Sequence, residues 1–271
     1  MKKILSLFIV TVVVAQTSFA QDADKKFRFG LRVAAQPTWL RSDDVKNYAN
    51  SGTKFGFGFG LNAEFKLTSA VSFSTGIGGD FIGGSQEYKT DNTTLGYAVD
   101  KAGSYVEIDK NWAANGSKFY SIQSRKVKTT YVTIPLTLKM MTNEISGLKY
   151  FGVFGGNLGI LTKARAEDQV TLVSGSLPTA GTNSDMNIYH DCIPVKAELN
   201  VGIGTEYRLS GTTSAFLSIN YIRGFTNLYR GTSKFLVTDF PNTYVNQISP
   251  PMGAKQGALG DMVQINIGIL F

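Results

Sequence analysis

Apolar and polar residues alternate along four segments of the chain, the pattern of strands whose successive side chains point to opposite faces. In Phe27 to Trp39 the odd positions are Phe27, Phe29, Leu31, Val33, Ala35, Pro37 and Trp39, while the even ones include Arg28, Arg32 and Gln36. From Lys54 to Leu67, Phe55, Phe57, Phe59, Leu61, Ala63, Phe65 and Leu67 oppose Lys54, three glycines, Asn62, Glu64 and Lys66. Val195 to Leu209 and Val263 to Phe271 repeat the pattern. All nine charges of these segments fall on one parity, which free assignment between two faces gives about once in 500 trials. One face excludes charge.

Four further strands are predicted over Val71 to Phe81, Thr130 to Met140, Lys149 to Leu161 and Ala215 to Tyr229. Arg223 falls on the apolar parity of the last, predicting a bulge or an arginine that snorkels to an interface. Pro135 removes a ladder donor, so a bulge or a water is expected beside it. The connections alternate in length: 41–53 long, 68–70 short, 90–125 long, 143–147 short, 168–189 long, 210–213 short and 231–258 long. Short and long connections therefore gather at opposite ends of eight antiparallel up-and-down strands, as in outer-membrane barrels with short periplasmic turns and long external loops.

A soluble sandwich or lipocalin-like barrel would also alternate, but with its apolar face inward. Here the polar parity holds glycine, asparagine and charges of both signs, a set suited to filling the narrow interior of an eight-stranded barrel. Lipid on the outside accounts for both faces, because a Lys or Arg on the lipid face near the midplane costs ~2–4 kcal/mol. The expectation is an all-β, eight-stranded antiparallel up-and-down transmembrane β-barrel with a side-chain-filled lumen. Trp39, Phe55, Phe81 and Phe225 near the long-loop ends, and Phe27, Phe65, Phe73, Tyr207 and Phe271 near the other, would form two aromatic belts.

Composition agrees, with 29 glycines in 271 residues and 12% aromatics, a mixture suited to strands rather than helix bundles. Residues 1–20 read as a secretory signal: Lys2 and Lys3, an apolar run from Ile4 to Ala15, and Ser18-Phe19-Ala20 as a small-x-small cleavage site. The barrel domain would then be 21–271. Cleavage removes Lys2 and Lys3 from the formal +7, leaving a mild balance of scattered charges that argues against a nucleic-acid partner. Cys192 is the single cysteine, so no intrachain disulfide is possible, and a small buried filler is expected there.

Several motifs resemble the PorT-like outer-membrane β-barrel proteins of Bacteroidota. They are Tyr131-Val132-Thr133-Ile134-Pro135-Leu136-Thr137-Leu138-Lys139, the strand Lys149 to Gly156, and Tyr221-Ile222-Arg223-Gly224-Phe225-Thr226-Asn227-Leu228. The closing Asn266-Ile267-Gly268-Ile269-Leu270-Phe271 is similar to the terminal-aromatic signal read by barrel assembly machinery, which implies that partner for Phe271. The resemblance implies architecture and outer-membrane location, and no secretion function is carried over.

Little catalytic chemistry is legible. His190, the sole histidine, is flanked by Ser184, Asp185 and Asp191, the residue types of a lipid-acting barrel hydrolase, but no spacing fixes them as a constellation. Gly56-Phe57-Gly58-Phe59-Gly60 lies in an alternating strand, without the strand-turn-helix setting of a phosphate-cradling loop. Asp43, Asp44, Glu107 and Asp109 lack the twelve-residue ligand pattern of a calcium loop. The expected function is that of a structural or interaction/adhesion barrel whose long loops do the recognition, with no cofactor or enzyme activity; a barrel enzyme acting on lipid and a secreted lipid-carrying barrel are the alternatives. Arg125, Lys126, Lys128, Lys163 and Arg165 are predicted to form a basic rim that contacts anionic lipopolysaccharide headgroups, with a protein partner at the long loops.

Overall fold

The computed structural model describes residues 26–42, 44–45, 47–89, 95–107, 117–174, 177–238 and 253–271; the signal segment, Asp43 and Asp109 lie outside them. Thirteen strands follow in order: β1 (Phe27–Arg41), β2 (Tyr48–Asn50), β3 (Lys54–Lys66), β4 (Val71–Tyr88), β5 (Gly96–Val99), β6 (Lys118–Met141), β7 (Leu148–Leu172), β8 (Thr179–Asn187), β9 (Val195–Ser210), β10 (Thr213–Asn227), β11 (Thr232–Val237), β12 (Gly253–Lys255) and β13 (Leu259–Leu270). Eight of them, β1, β3, β4, β6, β7, β9, β10 and β13, pair antiparallel in that order. β13 returns to β1, and the Phe271 amide donates to the Phe29 carbonyl at 2.7 Å. Closure removes the unpaired edge that hydrocarbon would not tolerate.

The three tight connections after β3, β6 and β9 share one end of the barrel with the start of β1 and the end of β13. Gly147 and Gly211 there hold φ of 82° and 54°, a left-handed backbone that glycine adopts without a Cβ clash. At the other end the strands run on. β7 has 25 residues, against the ~9–11 that a tilted strand needs to span a bilayer. The connections predicted over 90–125, 168–189 and 231–258 are partly β-structure, since β6 begins at Lys118, β7 and β8 form a hairpin, and β11 and β12 join the sheet through β5.

Two polarity regimes meet along these strands. In the lower half the apolar parity faces outward: Phe57 is 58% exposed, Ile203 72% and Ile265 41%. Aromatic rings pair on this outer surface, Phe27 with Phe65 at 5.1 Å and Phe29 with Phe271 at 5.3 Å near the tight turns, Phe57 with Phe81 at 4.7 Å and Trp39 with Tyr221 at 6.5 Å higher up. In the upper half the sense reverses. Tyr48, Tyr88, Tyr97, Val127, Tyr131, Leu161 and Leu236 form a buried inner core, while Lys128, Lys163 and Gln169 are exposed outside. The barrel thus leaves the membrane near Val132 and Ile160 and continues as a water-facing crown with an apolar interior.

No bulge forms beside Pro135, since the β4–β6 register is the same at Thr75↔Leu136 and Gly78↔Thr133, but the ladder lapses between those two pairs, where Pro135 has no amide to donate. Of two β6–β7 register shifts, one falls between Ile122 and Ser124; the nearer lies four to five residues away, between Thr130 and Tyr131, opposite Lys163 and Leu161. That extra β7 residue switches the inward parity from odd at Leu161 to even at Ala164. Arg223 is exposed on the outer face, and the β10–β13 register shifts between it and Asn227, so the bulge and the outward arginine occur together.

Candidate functional site

The lumen is filled by side chains in layers. Nearest the tight turns, Arg28 donates to Glu64 at 2.5 Å and to Glu206 at 3.0 Å. Lys139 donates to Glu64 at 2.8 Å and also pairs with Glu206. The four charges sum to zero, and Lys139 lies 4.3 Å from the Phe151 ring centroid. Such a buried cluster offsets its desolvation only while every member is present. Above it an amide relay crosses the barrel: Arg32 donates to Asn266 at 3.1 Å, Asn266 to Asn220 at 3.3 Å, Asn220 to Asn200 at 2.7 Å and Asn200 to Asn157 at 3.1 Å.

Glycines on the lumen face leave room for these groups. A Cβ at Gly202 would lie 2.5 Å from Asn220 Cγ, and one at Gly58 would lie 2.6 Å from Asp80 Oδ1. Asp80 accepts from Gln36 at 2.7 Å and from Thr133 at 2.6 Å. The Gly56 to Gly60 run therefore lies in strand β3 as an interior-packing device. Where the lumen meets the crown, a cavity of about 40 Å3 is lined by Thr38, Tyr131, Lys196, Glu198 and Asp261 among others. Lys196 donates to Glu198 at 2.5 Å beneath the Tyr131 ring.

The crown is organised around Arg125. Its side chain is 1% exposed; Nε and Nη2 donate to Asp168 at 2.7 and 2.8 Å, and Nη2 donates to Tyr105 Oη at 2.6 Å. Tyr105 donates in turn to Asp168 at 2.5 Å, so a residue of the 95–107 connection is tied to two barrel strands. Burial, the largest single effect, disfavours the Arg125 cation, but the Asp168 charge, the Tyr105 and Tyr88 phenols and the hydrogen bond to Asp168 together outweigh it and hold the guanidinium well above its ordinary pKa. Burial pushes the Tyr105 phenol well above its ordinary value. Asn183 of β8 donates to Tyr97 at 2.9 Å, and Tyr48 donates to the Lys255 carbonyl at 2.5 Å. These bonds bind the outer connections to one core.

Cys192 belongs to that core, and burial followed by the Asp191 charge pushes its thiol from 9.0 up to about 12. A raised folded-state pKa means that its contribution to stability is fully present below about pH 9 and lost as pH rises toward 12. Folded protein is accordingly expected to resist alkylation by iodoacetamide near neutral pH, and to react at the rate of a free cysteine once unfolded in guanidinium. Equal rates in the two states would contradict this packing.

The five predicted rim residues separate. Arg125 is corrected: its side chain points into the crown and is committed to Asp168, so it is no headgroup contact. Lys126, Lys128, Lys163 and Arg165 do lie on the outer surface, immediately above the apolar belt. Lys126 pairs with Glu167 at 3.0 Å, and Arg165 reaches the Asp185 carboxylate at 3.8 Å. His190 sits exposed in a single 3-10 turn, while Asp191 is turned inward to accept from Ser233 at 2.6 Å and from the Lys234 amide at 2.9 Å. Asp44 caps its own turn by accepting from Asn47. Among the described residues no three His, Cys, Asp or Glu side chains are placed to hold a metal ion. Sequence reasoning missed Asp168 and Tyr105; the only signal was a charge in each of two segments that alternate poorly.

A closed antiparallel barrel with an apolar outer belt and paired charges inside is a transmembrane β-barrel. Residues 19–230 match the family described as outer membrane protein beta-barrel domain, and the chain belongs to that family and to the outer membrane. A comparison with curated protein sequences gave no match. Among solved structures the chain is similar to Neisserial surface protein A (10% identity, 91% of this chain and 98% of that one, TM-score 0.38). It is also similar to OprG of Pseudomonas aeruginosa (11%, 91% and 97%, 0.43) and to a major outer membrane protein of Thermus thermophilus (13%, 91% and 99%, 0.37).

Proposed function

We propose that the protein is a sealed outer-membrane barrel that carries a rigid crown on the cell surface for binding a protein partner, without catalysis of its own. The observation that supports this most is the second apolar core outside the membrane. A barrel that only reinforced the bilayer would need neither strands of twice the spanning length nor a buried Arg125–Asp168–Tyr105 tie between its outer connections. Loops held by a rigid scaffold are where binding surfaces concentrate. In the reading favoured here the chain is a PorT-like member of its family, and Phe271 is the signal for the barrel assembly machinery.

A groove of about 410 Å3 on the crown, lined by Lys101, Lys118, Tyr120, Thr182 and Ser184 among others, is the candidate contact surface. Photocrosslinkers placed at Lys101 and Thr182 in intact cells are expected to give one protein adduct of fixed mass from both positions. Recovery of uncrosslinked barrel alone, or of lipid adducts alone, would contradict a partner-binding crown.

A further inference from the structure

The outer face of β6 and β7 carries an arrangement that the fold alone does not require. Lys128 stands directly opposite Arg165 in the register, and Lys163 lies opposite Thr130. Like charges facing each other across a strand pair are destabilising unless something screens them. Lys128 and Lys163 are exposed with no ion-pair partner among the described residues, while Arg165 is half-buried and donates through Nη1 to the Asp185 carbonyl at 3.1 Å, leaving its other terminal nitrogen for a further acceptor. The acidic side chains nearby are shared: Glu167 pairs with Lys126 and is attracted only more weakly to Lys128, Asp185 lies 3.8 Å from Arg165, and Glu87 accepts from Ser51 at 2.8 Å. On the β4 side Lys128 faces Gly83, which has no side chain to fill the adjoining surface.

The position of this cluster identifies the counter-ion. Directly below it the same two strands present Val132, Ile134, Leu158 and Ile160 to the bilayer, so the cations sit at headgroup depth above acyl chains. The bulge at Thr130/Tyr131 and Lys163/Leu161 places Lys163 on the outer surface. This is the long-loop end of the barrel, which faces the cell exterior. Arginine and lysine together at an interface suit a phosphate, the first by directed N–H donors and the second as a point charge. We propose that Lys128, Lys163 and Arg165 bind a phosphate of the phosphorylated glycolipid of the outer leaflet, whose acyl chains lie along β6 and β7. The site does not depend on what the crown binds.

The test is native mass spectrometry of the full chain released from neutral detergent with a bisphosphorylated, multiply acylated glucosamine disaccharide as probe. The wild type is expected to retain the probe about tenfold better than its dephosphorylated form. K128Q/K163Q is expected to lose that preference, while K66Q/K149Q at the opposite end of the barrel keeps it. Thr130→Glu, which sets a carboxylate beside Lys163, should lower retention independently, and heat-modifiable gel migration reports that each variant is folded. Undiminished retention by K128Q/K163Q and Thr130→Glu would overturn the site. Equal retention of phosphatidylglycerol would overturn the glycolipid assignment, and displacement by equimolar inorganic phosphate would overturn a lipid site altogether.

Discussion

Replacing Lys139 by methionine is expected to destabilise the barrel by about 3–5 kcal/mol, the usual cost of removing one member of a buried ion cluster. Its partners Glu64 and Glu206 would be left with Arg28 alone, and a net negative charge would remain between the Phe151 and Phe216 rings. Methionine keeps much of the lysine stem's volume, so packing accounts for little of the effect. The double variant K139M/E206Q restores neutrality and should recover a large part of the loss. Reversible unfolding of the three proteins in lipid vesicles by guanidinium checks this; a single variant within about 1 kcal/mol of wild type, or a double variant no better than the single, would contradict a charge-coupled plug.

Removing Asp168 should act in a different place with similar force. Asp168→Ala leaves the Arg125 cation buried in the crown with only Tyr105 as a side-chain partner, again a loss of about 3–5 kcal/mol. Because the crown core lies above the membrane, this loss should appear as local opening. Amide exchange in 95–107 and β11 is expected to accelerate by roughly a hundredfold to several thousandfold, while β3 and β13 within the bilayer stay protected. Exchange that rises uniformly over all strands would mean that crown and barrel form one cooperative unit. Exchange that does not change would mean that the Arg125 tie carries no load.

The membrane-spanning half was legible because a single physical demand, charge excluded from hydrocarbon, acts on every second residue. Phe55 to Leu67 records it without interruption. The crown was not legible in the same way, since the demand reverses within one strand. From Arg125 to Lys139 the odd residues of β6 point inward, but they are the polar set at Thr133, Thr137 and Lys139 and largely the apolar set at Val127 and Tyr131; above the register shift between Ile122 and Ser124 the even Ile122 is the buried one. Read with one polarity rule, 118–125 resembles a loop, and Arg125 resembles a solvent-facing rim charge. The β7 bulge compounds this by changing parity between Leu161 and Ala164. Asp168 could not be matched to Arg125, because the pairing depends on a long hairpin whose upper half the alternation concealed. The four-charge cluster was half legible: Arg28, Glu64 and Glu206 all fell on the charged parity, but which of them meet follows only from the curvature of the closed sheet.

Spin labels placed singly at residues 57, 59 and 61 of β3, in protein reconstituted into lipid vesicles, measure directly what wets the apolar face. The account predicts high collision rates with oxygen at all three positions, with little contact with a water-soluble nickel chelate. High chelate collision rates at 57, 59 and 61 would place the apolar side chains in water and contradict it.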